Sequence, residues 1–265
     1  MNKLSICGAF PLAAAVCAVS LLELTARAAP GSEGSAPVAS TRVQEEMKQG
    51  AQALRAGKYD EAQAHYRNAL ELDPSQKTAL VFLARSIRAQ YKLGIDDDPR
   101  NVAKATEAIS IYQKALQIDP NQDEAFTAVD ELYAALKNEP KQRDWLLTRA
   151  ESEQIPKGKR SAAYRRLADL DLACTRRTAA AEPAAADRCA ASGLESIQRA
   201  IALNGDSEAL LTQQAQLLHE RAKLAEGLGS STQQRAYEKQ ALAAEKRVAE
   251  LREDARKKSE SLPTY

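Results

Sequence analysis

Apolar residues recur along most of this chain at intervals of three and four, the spacing that places them on one face of a helix. Ala62, Tyr66 and Ala69 form one such stripe, and Asp73-Pro74 closes it, because proline disfavours helical geometry at the residue before it. Counting back, Gly50 is the small residue of a preceding helix that begins near Val43. Leu80, Leu83, Ala84 and Ile87 make a third stripe, and Ala108, Tyr112 and Ala115 a fourth, stopped by Asp119-Pro120. The stretch 89–101 between them contains Gly94, Asp96-Asp97-Asp98 and Pro99. It predicts a lengthened first helix, a loop, and a new helix with Asp98 as cap and Pro99 in the first turn. Phe126, Val129, Leu132 and Tyr133 pair with Trp145 and Leu146 in a hairpin short of small residues. Tyr164, Leu167, Ala168 and Leu170 pair with Leu194, Ile197 and Ile201 in a lengthened one, which ends at Asn204-Gly205. A fifth opens at Leu210-Leu211, runs through Leu217-Leu218 and turns at Gly227-Leu228-Gly229. In the last helix, Tyr237, Ala241, Ala244, Val248, Leu251 and Ala255 follow steps of four and three. That is a coiled-coil-like seam, expected to serve as the cap that a stack of hairpins needs at its end, with a dimerising coil as the alternative.

The run Gly57-Lys58-Tyr59-Asp60-Glu61-Ala62, then Tyr66 and Ala69-Leu70-Glu71-Leu72-Asp73-Pro74, resembles the second helix and exit turn of a tetratricopeptide repeat. The unit spans Val43 to Gln76, and its ending returns as Ala115-Leu116-Gln117-Ile118-Asp119-Pro120. The resemblance is strong over 43–126, degenerate over 127–160, moderate over 161–205, and a matter of pattern alone beyond. It implies an all-α, right-handed superhelix of about five hairpins with a long C-terminal capping helix. It also implies a scaffold that binds other proteins and catalyses nothing.

The N-terminus modifies this picture. Lys3, the apolar run Leu4 to Leu22, and Ala26-Arg27-Ala28 have the layout of a cleaved export signal. The expected organisation is a signal peptide at 1–28, a disordered Gly/Ser/Pro/Ala-rich linker at 29–41, a repeat domain at 42–260 and a tail at 261–265. Of 37 Lys and Arg and 36 Asp and Glu, Lys3, Arg27 and Glu23 leave with the signal. The mature chain is then formally neutral, which argues against nucleic acid or an anionic membrane as partner, and with the apolar run removed no membrane insertion of the mature chain is expected. A periplasmic or secreted location follows, with a protein or peptide partner and a monomer or weak dimer.

Candidate chemistry is sparse. His65 and His219 are the two histidines, and neither has a Cys or His at ligand spacing, so both are expected to be packing or surface residues. Asp96-Asp97-Asp98 lacks the alternating layout that wraps calcium and fits a solvated, capping loop. No cofactor, metal or catalytic residue is expected. Lys157, Lys159 and Arg160, with Arg165 and Arg166, form a basic run suited to a solvated hairpin entry or an acidic partner.

By the resemblance, the first helix of each hairpin lines a concave groove. The first repeat would offer Gln44, Met47, Ala51 and Leu54; the second Thr78, Val81, Arg85 and Arg88; the third Glu124, Thr127, Glu131 and Ala134. Arg165, Asp169 and Leu211 would follow in the later repeats. Met47 and Ala51 stand where chaperone-binding relatives hold a carboxylate clamp, so that activity is not implied. An apolar first half beside Arg85 and Arg88 suits an apolar segment with a nearby acid. Finally, Cys174 and Cys189 flank a helix joint at Glu182-Pro183 at similar distances. An antiparallel alanine-rich hairpin brings such positions close enough for a disulfide, the alternative being two buried thiols.

Overall fold

The structure, a computed structural model, describes residues 35–260. The expected signal segment, the linker as far as residue 34 and the tail 261–265 lie outside the described residues. Ten helices follow one another, with no strand among the described residues. They pair as α1 (Ser35–Arg55) with α2 (Tyr59–Leu72), α3 (Lys77–Arg88) with α4 (Pro99–Ile118), and α5 (Asp123–Ala135) with α6 (Glu139–Glu151). The series continues with α7 (Lys157–Thr178) against α8 (Pro183–Asn204) and α9 (Glu208–Gly227) against α10 (Ser231–Glu260). Each even helix also packs on the odd helix of the next hairpin, while α1 meets α3 and α7 meets α9. The odd helices therefore form one row and the even helices another. The fold is all-α, a stack of five hairpins ending in a long helix.

The first hairpin follows its local signals closely. Ala62, Tyr66 and Ala69 are fully buried. A Cβ on Gly50 would stand 2.7 Å from the Tyr66 ring, so the ring crosses α1 only because that residue has no side chain. Asp73 and Asp119 end α2 and α4 in extended backbone (φ −142° and −135°), as the following prolines require. Each carboxylate accepts the backbone N–H two residues on, from Ser75 (3.0 Å) and Asn121 (3.1 Å).

Two features differ from the sequence pattern. Helix α1 begins at Ser35 and so takes in 35–41, assigned above to the linker; Pro37 falls in its first turn, where a missing N–H breaks no helical bond. The long helix of the second hairpin is α4, not α3, which stops at Arg88. Asp98 does cap α4, accepting from Arg100 N (2.9 Å), with Pro99 in the first turn. The loop before it is tied down by buried Asn101, whose side-chain amide donates to the carbonyls of Lys92 and Ile95 (both 2.8 Å) and accepts from Lys92 N. This gives the loop backbone the partners a longer α3 would otherwise supply.

The third hairpin is the least intimate of the five. Phe126 and Trp145 stack across it with ring centroids 5.3 Å apart. In the fourth hairpin α7 and α8 lie in extensive contact, and Cys174 and Cys189 are joined in a disulfide with Cα atoms 6.0 Å apart. In α10, Ala241, Ala244 and Val248 are buried and Tyr237 packs against the core cluster that includes Ala241, so the seam is used on α9 within the chain.

Candidate functional site

The row of odd helices presents a continuous face crossed by polar rungs. Arg85 of α3 pairs with Glu124 of α5 through Nε (2.9 Å) and Nη2, and Arg88 pairs with Glu131 (2.5 Å). From α5 to α7, Asp130 accepts from Arg166 Nε (2.9 Å). From α7 to α9, Gln213 Nε2 donates to Asp169 (2.7 Å) and Arg176 pairs with Glu220 (3.0 Å). Burial pushes the Asp169 carboxyl above its ordinary value, against the pull of Arg165 and Arg166.

The expected groove residues separate into three sets. Arg85, Arg88, Glu124 and Glu131 are brought together, but as partners of one another, so the two arginines are not free cations awaiting an acid. Met47, Ala51 and Leu54 are half-buried, with Met47 and Leu54 packed against the core. Val81 is 3 % exposed and Leu211 is likewise buried, so neither lines a groove. Val81 belongs to the same packed cluster as Met47 and Leu54 because α3 leans directly on α1. Phe82, one residue on, takes its place, stacked on Tyr66 (5.7 Å) with the Arg85 guanidinium 4.8 Å above its ring.

The remaining candidates have local partners. His65 Nδ1 meets Glu46 (2.8 Å) and His219 Nε2 meets Glu245 (2.9 Å), each tying a hairpin together. Asp96 accepts from Lys137 (2.6 Å) while Asp98 caps α4. No group of three metal-ligating side chains assembles among the described residues, and no described helix is long and apolar enough to cross a membrane. In the basic run, Lys159 pairs with Asp123 (2.9 Å), Arg160 donates to the Ala150 carbonyl (2.9 Å) and Arg166 pairs with Asp130.

Between α5, α6 and α7 the face opens into a recess of about 460 Å³. Phe126, Leu146 and Ala163 give it apolar walls, with Arg149, Lys159 and Arg166 beside Asp123 and Asp130. Arg149 is 6 % exposed, lies 4.2 Å over the Phe126 ring and pairs with Asp123. Burial raises the Asp123 carboxyl, but hydrogen bonds from Lys159 and Arg149 outweigh it and hold the group below its ordinary value. Sequence reasoning missed this constellation. Arg149 lies on a second helix, where groove positions do not fall.

The family profile described as Tetratricopeptide repeat matches residues 47–76. The chain carries a tetratricopeptide repeat. Such repeats build non-catalytic scaffolds for protein–protein interaction. No curated protein sequence matches the chain. Among solved structures it is similar to a MamA protein, at 16 % identity over 80 % of this chain and 96 % of that one, with a TM-score of 0.45. It is also similar to Pseudomonas aeruginosa PilF (17 % identity, 76 % and 90 %, TM-score 0.42). A third is PilW, described as a widely conserved type IV pilus biogenesis factor (18 % identity, 78 % and 93 %, TM-score 0.31).

Proposed function

We propose that this chain is an exported tetratricopeptide-repeat scaffold that holds a protein partner of the bacterial cell envelope on the face built by its odd helices. The observation that carries the reading is that α3, α5, α7 and α9 present one continuous row joined rung by rung by polar pairs, Arg85–Glu124, Arg88–Glu131, Arg166–Asp130 and Gln213–Asp169. Such a face recognises a partner by shape and hydrogen bonding without attracting anions or cations in general. The disulfide between Cys174 and Cys189 supports an oxidising compartment, in keeping with the export signal at 1–28. The groove residues Met47, Ala51, Leu54, Arg85, Arg88, Glu124 and Glu131 border this face, with Phe82 in place of Val81. The seam of α10 is occupied by α9, which favours a monomer or weak dimer over a self-associating subunit.

The test is photocrosslinking in the host envelope, with a photoreactive residue at exposed Thr127 of α5 or exposed Lys114 of α4. One discrete adduct from Thr127 and none from Lys114 supports the reading. Adducts from Lys114 alone would move the partner to the even helices. N-terminal sequencing of the envelope-derived protein should find Ala29 first.

A further inference from the structure

The recess between α5, α6 and α7 is neutral in charge but unbalanced in hydrogen bonding. Each of its carboxylates is engaged. Asp123 takes Arg149 and Lys159; buried Asp130 takes Gln142 Nε2 (2.6 Å) and Arg166 Nε (2.9 Å); Glu131 takes Arg88. The donors are not used up, since a guanidinium carries five N–H bonds. Arg149 gives Nη2 to Asp123, but its Nη1, on a side chain more than nine-tenths buried, meets no acceptor among the described residues. Arg166 spends Nε on Asp130, and its Nη1 stands 4.0 Å from Asp169, beyond hydrogen-bonding distance. Arg165, exposed on the same helix, makes no salt bridge among the described residues. An unmatched donor on a buried cation is costly to keep, so what this site lacks is acceptor oxygens.

We propose that the recess binds an extended internal segment of the protein partner in which an acidic side chain lies next to an apolar one. The carboxylate accepts from Arg149 and Arg166, and the apolar side chain rests against half-buried Phe126 and exposed Ala162. This rests on the reading of the odd-helix face as the partner-binding face. An internal segment suits the position of the recess in the row of odd helices, with the Arg88–Glu131 rung joining α5 to α3 before it and the Asp169–Gln213 rung joining α7 to α9 after it.

The single tryptophan, Trp145, stacks on Phe126 and reports occupancy by its fluorescence. Three peptides are titrated into the purified chain: acetyl-Gly-Leu-Asp-Leu-Gly-amide, the same peptide with Asn for Asp, and the Asn peptide ending in a free carboxylate. The Asp amide should bind about tenfold tighter than the Asn amide, the difference expected of a charge-assisted hydrogen bond. Ala162→Phe fills the recess from an exposed position on α7 and should weaken the Asp amide about tenfold, with circular dichroism unchanged. If that variant does not fold, Thr127→Phe fills the recess from α5. Arg166→Gln should weaken the preference for Asp over Asn, leaving the part that Arg149 supplies. Equal affinities of the two amides, unaltered binding by the filled variants, or tighter binding of the free-carboxylate peptide would each overturn the proposal. If a photoreactive residue at exposed Thr78 of α3, outside the recess, still crosslinks to a partner in the envelope, only the recess assignment falls; if neither it nor Thr127 does, the broader reading falls as well.

Discussion

Arg143 and Asp171 hold the loose third hairpin to the fourth, and the two sides of this ion pair are unequally buried. Asp171 is 2 % exposed and accepts from Arg143 Nη2 (2.6 Å) and Ser192 Oγ (3.0 Å), whereas the Arg143 side chain is 30 % exposed. Removing the arginine strands a carboxylate in packed surroundings. Removing the acid leaves a guanidinium that can turn to water. Stranding a buried charge costs about 3–5 kcal/mol, and the partial exposure of Arg143 points to the lower end. Arg143→Met, which keeps the aliphatic stem, should therefore cost about 3 kcal/mol. Asp171→Asn keeps the shape and an acceptor for Ser192, and should cost about 1–2 kcal/mol. The double variant should cost less than the two together by about 1.5 kcal/mol, as coupled neighbours do. Urea unfolding followed by circular dichroism measures these values, and hydrogen exchange should place the loss in α6 to α8. Equal single costs, or an additive double variant, would refute the idea that the stranded carboxylate sets the penalty.

The disulfide closes a loop with a sequence separation of 15, worth at most about 3 kcal/mol by the chain-entropy model. Reduction should lower the melting temperature of the fourth hairpin while the first keeps its hydrogen-exchange protection, and thiol titration of the denatured, unreduced protein should find neither Cys174 nor Cys189 free. Gly50→Ala places a methyl 2.7 Å from the immobile Tyr66 ring and should destabilise by about 1–3 kcal/mol, measured by urea unfolding. Tyr66→Phe removes a buried hydroxyl that has no partner among the described residues; the same assay should find it neutral or stabilising by up to about 1 kcal/mol. Asp119 is held below its ordinary value chiefly by the Lys77 side chain. In Asp123, the hydrogen bonds from Lys159 and Arg149 outweigh burial, with the same net direction. Depressed carboxyls contribute stability above their unfolded value and lose it as pH falls through the folded one. Melting temperature should therefore drop below about pH 4, and Asp119→Asn with Asp123→Asn should flatten that drop.

What was legible in the chain is what local forces decide. Asp73-Pro74 and Asp119-Pro120 stop their helices by backbone sterics within two residues, and the alanine and tyrosine stripes need only the helical period. Cys174 and Cys189 could be paired because a hairpin fixes the height of both residues from the turn alone. The rungs of the odd-helix face were not legible. Arg85 reaches Glu124 across 39 residues and Arg88 reaches Glu131 across 43, distances that combine one hairpin with the irregular loop after Arg88. A family register placed all four residues on the face, yet it could not show that they neutralise one another. The same register put Val81 outward, since it carries no account of how closely α1 leans on α3.

The recess has a different origin, and it explains why the weakest part of the repeat signal deserves the closest look. Small residues let paired helices approach, as Gly50 does beneath Tyr66 and as Gly193 does against Asp171 and Leu217. The third hairpin buries Ala125, Ala128 and Ala150 but also stacks Phe126 on Trp145 between its helices, and it is the least closely packed of the five. The space left beside them cannot be filled by the short side chains Ala162 and Ala163 that α7 presents. Arg149, which bridges the gap over Phe126, is drawn into that space with one of its nitrogens unmatched. A degenerate stretch between well-formed repeats is thus the physical cause of the opening, because the substitutions that blur the motif are the ones that keep the helices apart.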